Sequence, residues 1–179
     1  MPQTPIQSEA LTPVEIAALE QRATEAARNS YSPYSHFRVG AAVLLHRDER
    51  QNGEIVAGTN VENASYRLTS CAEQAAIAAA VALYGPQIRI RAVAVANLNG
   101  AACMPCGACR QTILEFATPE TAVLYPSGTG ETVRTTVGAL LPAGFRLDSG
   151  QDQARQTKTG RLPQGRGGQT RRKGTPDAG

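Results

Sequence analysis

The order of elements in this chain predicts a layered α/β domain built on a mixed sheet. Three observations lead there. An amphipathic helix with a strong start signal opens the patterned region, two strand-like runs follow it across a hairpin turn, and the later strands alternate with helical segments. At 179 residues the chain is long enough for one full apolar core and short for two.

Residues 1–11 read as a flexible leader rich in Gln, Pro and Ser. Thr12-Pro13-Val14-Glu15 then joins a cap, a proline suited to the first helical position and an acid able to close a capping box. This helix is expected to run to about Asn29 and to bury Ile16, Leu19, Ala23 and Ala26 or Ala27. Tyr31-Ser32-Pro33-Tyr34-Ser35 cannot continue it and reads as a loop. Val39 to Leu45 and Glu54 to Asn60 read as strands, with Asn52-Gly53 as the turn between them. A polar loop leads to a second helix from Ala72 to about Leu83. It is so rich in Ala, Ile, Val and Leu that burial on several sides is expected.

Arg91 to Leu98 reads as a strand, Gly107 to Phe116 as a helix, and Thr121 to Tyr125 and Thr132 to Thr136 as strands. Val137 to Leu141 suggests a helical turn before Pro142. The pattern stops there, so the domain is placed at residues 12–148. Residues 149–179, mostly Gln, Gly, Arg, Thr and Pro, bury too little to offset ordering entropy and are expected to be disordered.

Charge separates the same two regions. Residues 151–179 hold seven Lys/Arg against two Asp/Glu, whereas residues 1–150 hold eleven against thirteen. The domain itself is mildly acidic, and the whole chain has no Trp and an aromatic content of 4%, so nucleic acid is not the expected partner. The basic tail reads as a solvated extension. No apolar run reaches membrane-spanning length and no signal-peptide pattern opens the chain, which points to the cytoplasm. In that setting four cysteines read as metal ligands before disulfides.

The chemistry concentrates in Cys71-Ala72-Glu73 and Pro105-Cys106-Gly107-Ala108-Cys109. Each segment lies where a helix begins, and helix N-termini favour thiolate over thiol. Three thiolates leave one zinc position open to water, and Glu73, two residues past its ligand, is placed to work as acid/base without binding metal. A ligand-x-Glu segment paired with Pro-Cys-x-x-Cys is the signature of zinc-dependent nucleobase deaminases. Two blander readings stand beside it: a closed structural zinc site with Cys103 as fourth ligand, and unmetallated core cysteines. His36 and His46 are read as structural or surface residues.

Beyond these segments the chain resembles the small homotetrameric cytidine deaminases over roughly residues 14 to 147. Tyr31-Ser32-Pro33-Tyr34-Ser35-His36-Phe37-Arg38-Val39-Gly40-Ala41-Ala42, Asn60-Val61-Glu62-Asn63-Ala64-Ser65-Tyr66, the two cysteine segments through Arg110-Gln111, and Leu140-Leu141-Pro142 with Phe145 are similar to that family's motifs in order. The resemblance implies a three-layer α/β/α sandwich around a five-stranded mixed sheet. It also implies hydrolysis of cytidine and deoxycytidine to uridine, deoxyuridine and ammonia. Cys71, Cys106 and Cys109 would hold one zinc, and Glu73 would shuttle protons between water, ring N3 and the departing amine. Asn60 and Glu62 would bind the ribose 3′-hydroxyl, Phe37 would pack against the pyrimidine, and Ala72 would also belong to the substrate-binding set. Ala64 and Tyr66 would reach a substrate bound in a neighbouring subunit, and Phe145 would close another subunit's site.

One position departs from the pattern. Gln74 stands where three-thiolate members usually carry an Arg that offsets the charge of the zinc centre. Rival readings are a relative acting on another aminopyrimidine, such as a blasticidin-type deaminase, and a catalytically silent zinc module with an RNA-binding tail.

Overall fold

A computed structural model describes residues 10–46 and 53–147. The basic tail, most of the leader and Asn52 of the expected hairpin turn lie outside the described residues. Ten elements follow in order: α1 (Pro13–Ala27), β1 (Val39–Leu45), β2 (Ile55–Thr59), a 3₁₀ turn (Tyr66–Leu68), α2 (Ala72–Tyr84), β3 (Ile90–Asn97), α3 (Gly107–Phe116), β4 (Ala122–Pro126), β5 (Thr132–Thr136) and α4 (Val137–Leu140). The five strands form one sheet in the order β2-β1-β3-β4-β5. Only β3 and β4 pair in parallel; the other neighbours are antiparallel, so the sheet is mixed as expected.

The β pleat sends alternate residues to opposite faces, and this divides the core in two. Ala41, Val43 and Leu45 of β1 with Val93 and Val95 of β3 join α2 and α3 on one face. Ala42 and Leu44 with Ala92 and Ala94 join Leu19 and Ala23 of α1 on the other. Because β1 is buried on both faces, it reads in sequence as an unbroken apolar run. Two glycines set the layer spacing: a Cβ at Gly40 would overlap the α1 backbone at Ala23 and Ala27, and one at Gly58 would overlap α2 at Ala76.

The start of α1 is anchored twice. Thr12 Oγ1 accepts from the Glu15 N–H at 3.2 Å, and the Glu15 carboxylate accepts from the Thr12 N–H at 2.8 Å, which completes the capping box. The same carboxylate pairs with buried Arg91 of β3 at 2.5 Å, and this holds Glu15 at a pKa of about 2. Of the stretch read as a leader, Ala10 and Leu11 are described; Leu11 packs into the α1 face of the core and the Ala10 carbonyl accepts from Arg91.

The second helix is covered on one side by its own chain. Ala72, Glu73, Ala76, Ile77 and Ala80 are buried, but Ala78, Ala82 and Leu83 face outward. A single chain covers only one side of α2, although its composition suits cover on more. No helix among the described residues is long and apolar enough to cross a membrane.

Candidate active site

Cys71 is the N-cap of α2 and Cys106 the N-cap of α3, and neither side chain makes a capping hydrogen bond. Their sulfurs are therefore left to face each other, 4.0 Å apart. Cys109, one turn into α3 and fully buried, completes a group in which all three sulfurs lie within 4.8 Å of one another. Tetrahedral zinc with Zn–S bonds of about 2.3 Å sets its sulfurs about 3.8 Å apart, so this group fits the metal with little adjustment. Cys103 is not among the three: it is half-buried against the core, and burial pushes its thiol up to about 11. Among the described residues the sulfurs therefore form a group of three and not of four.

Glu73 lies in the first turn of α2, only 5% exposed, and hydrogen-bonds the Cys109 side chain. Burial raises its pKa. A hydrogen bond from Cys109 draws the Cys71 thiol down to about 7, and the same pairing, then burial and the charges of Glu73 and Cys71, push Cys109 far up. Without a cation among them, this crowding favours the protonated forms of Cys109 and Glu73, and a bound metal would favour the thiolates, so the donor set suits a metal.

The second part of the site is the 31–39 loop, held by side chains. Asn60, buried at the end of β2, accepts at Oδ1 from Ser30 Oγ at 2.6 Å and from the Val39 N–H at 3.0 Å, and donates from Nδ2 to the Phe37 carbonyl at 2.8 Å. One Nδ2 hydrogen is left over for a ligand. Glu62 accepts from the Tyr34 N–H at 2.9 Å, from the Ser35 N–H at 3.2 Å and from the Ser35 hydroxyl. The Ser35 hydroxyl chiefly holds its pKa below the ordinary carboxylate value, and His36 adds to this. Phe37 is half-buried on the α2–α3 face of the core. Ala72 is buried between the first cysteine and Glu73.

Other expected contacts are not covered by this chain. Ala64 is exposed, and Tyr66 and Phe145 are 81% and 66% exposed. The Phe145 carbonyl is nevertheless tied down by Gln111 Nε2 at 2.7 Å, while Arg110 joins the carbonyls of Pro105 and Leu140 at 2.8 and 3.0 Å. Sequence reasoning missed these two α3 residues as tethers, as it missed Ser35 and Asn99. Ser35 and the α3 pair stood inside recognised motifs without an assigned role. Asn99 carried no signal at all, since its partners are 61 and 63 residues away.

A family model for the cytidine and deoxycytidylate deaminase zinc-binding region matches residues 14–125. The chain belongs to that deaminase family. A cytidine deaminase of Mycobacterium tuberculosis is 43% identical to it over 131 residues, 73% of this chain and 89% of that protein. The crystal structure of cytidine deaminase from Burkholderia pseudomallei matches with a TM-score of 0.62 at 39% identity, covering 72% of this chain and 98% of that one. A blasticidin-S deaminase of Bacillus cereus is also similar, 33% identical over 134 residues, 71% of this chain and 89% of its own. This deaminase is a zinc hydrolase, and its five-stranded mixed sheet is the one the resemblance implies.

Proposed function

We propose that this deaminase hydrolyses cytidine and 2′-deoxycytidine to uridine and 2′-deoxyuridine, releasing ammonia, with Cys71, Cys106 and Cys109 holding zinc. The observation that carries this reading is the buried carboxylate of Glu73 beside three sulfurs that leave one metal position open. Zinc, when bound, is a Lewis acid that makes water acidic enough to attack at neutral pH.

Glu73 takes a proton from the attacking water and passes it to ring N3, which makes C4 electrophilic. The C4–O bond forms, and Glu73 carries the water's second proton to the exocyclic amine, so the C4–N bond breaks and ammonia leaves. A pKa raised by burial suits a group that must accept and return a proton in one turnover. Phe37 offers an apolar face to the pyrimidine, and Ala72 lines the base beside it. Asn60 and Glu62 bind the ribose 3′-hydroxyl: an amide hydrogen and a carboxylate suit a sugar hydroxyl. The lowered pKa of Glu62 keeps it negative, so a phosphate would be repelled. Free nucleosides are therefore favoured over nucleotides.

The assembly is a homotetramer with shared sites. Outward-facing Ala78, Ala82 and Leu83 on α2, together with exposed Ala64, Tyr66 and Phe145, support this reading, since they are surfaces a second copy would cover. The catalytic domain spans residues 12–148. Thiols that must stay reduced to bind metal suit the cytoplasm.

Ultraviolet absorbance of cytidine mixed with the zinc-replete protein tests the reaction. Conversion to uridine is the expected result, with blasticidin S turned over more slowly in a parallel assay. Faster turnover of blasticidin S, or no conversion of cytidine with one zinc bound per chain, would overturn the substrate assignment.

A further inference from the structure

We infer that Asn99 is a positioning residue that fixes the backbone angles of Phe37 and so aims the aromatic face at the substrate base. This rests on the reading of Phe37 as the base platform. Asn99 Nδ2 donates to the His36 carbonyl at 2.9 Å, and Asn99 Oδ1 accepts from the Arg38 N–H at 2.9 Å. Those two groups belong to the peptide planes on either side of Phe37, and the orientations of the two planes define its φ and ψ. One side-chain amide, with its donor and acceptor in fixed relation, therefore sets both angles.

The other polar groups nearby are held as well. The Phe37 N–H donates to Ser35 Oγ at 3.0 Å, and the Phe37 carbonyl accepts from Asn60. His36, just before, has a φ of 56°, a left-handed conformation that an L residue keeps only where its surroundings hold it there. Asn99 is itself braced: Asn97 Oδ1 accepts its N–H at 2.8 Å and that of Ala101 at 3.2 Å. Asn97 ends β3 in register with Val39, so the clasp grows from the sheet and not from a free loop. The same connection runs on to Cys106, so one segment both aims the base platform and delivers a metal ligand.

The test compares Asn99→Ala, Asn99→Asp, Phe37→Ala and the Asn99→Ala/Phe37→Ala pair in the full-length zinc-loaded protein, with cytidine as substrate and uridine as inhibitor. Loss of two hydrogen bonds is expected to raise KM and the uridine inhibition constant roughly five- to tenfold, with kcat and zinc content near wild type. Asn99→Asp keeps the acceptor for Arg38 but not the donor for His36, and should fall between; it also decides the matter if Asn99→Ala does not fold. The pair should be no worse than Phe37→Ala alone, because Asn99 acts through Phe37. An unchanged KM in Asn99→Ala while Phe37→Ala raises it, or full additivity of the two, would overturn the role of Asn99 alone. An unchanged KM in Phe37→Ala would overturn the platform reading, and the inference with it.

Discussion

Glu73 of α2 and Cys109 of α3 are 5% and 0% exposed, whereas Tyr66 and Phe145, expected to meet a substrate of the same kind, are 81% and 66% exposed. The first pair is fixed by core packing and by the start of two helices. The second pair is held through its backbone, by the 3₁₀ turn at Tyr66–Leu68 and the bond from Gln111 to the Phe145 carbonyl, and both residues stay mostly exposed. The difference teaches that one chain buries the sulfurs and carboxylate of the candidate centre and leaves Tyr66 and Phe145 exposed, as the proposed shared site requires. Catalysis gains from excluded water, and in the proposed assembly a second copy would supply that exclusion.

The comparison can be broken at the buried centre first. Glu73→Gln keeps the shape and the three sulfurs but removes the proposed proton shuttle. Its kcat should fall by roughly 10²–10⁴-fold, with one zinc per chain retained by atomic absorption. Retained turnover would show that the reacting centre does not depend on the buried carboxylate.

A change far from both regions should leave both unaltered. Glu15, with a folded pKa of about 2 against an ordinary 4.5, contributes stability that is fully present above pH 4.5 and is lost as pH falls toward 2. Glu15→Gln should therefore lower unfolding free energy by roughly 2–3 kcal/mol at neutral pH, with KM unchanged. That difference from wild type should shrink in denaturation curves taken below pH 4.5. A constant difference across that range would mean that the Arg91 pair is not its source.

The smallest expected effect is at Gln74. Restoring a positive charge with Gln74→Arg should leave kcat at its plateau within about twofold and shift the acidic limb of the pH–rate profile. An unchanged profile would show that the neutral side chain already suffices beside the sulfurs.

Much of this was legible in the sequence because its signals are local. The capping box of Thr12 and Glu15 formed as written, and β1 occupies Val39–Leu45 because an unbroken apolar run needs cover on both faces. The three metal-binding sulfurs were legible because both cysteine segments lie at helix starts. What escaped is tertiary. The bridges of Val61 to Tyr31 and Ser70, the burial of Leu11 and the clasp of Asn99 all join residues distant in sequence or outside any periodic pattern. The outer face of α2 is legible only in part, because apolar composition reports compatibility with burial and does not say which molecule supplies it.

The most direct test of a centre built by one chain and enclosed by another is complementation. Glu73→Gln and Phe145→Ala proteins would be unfolded, refolded together and assayed with cytidine at low concentration. Shared sites predict that the mixture exceeds the summed activities of the separately refolded variants, because some sites then combine an intact Glu73 from one chain with an intact Phe145 from another. Activity equal to that sum, with mixed oligomers shown to form, would contradict the account and place Phe145 over its own chain's site.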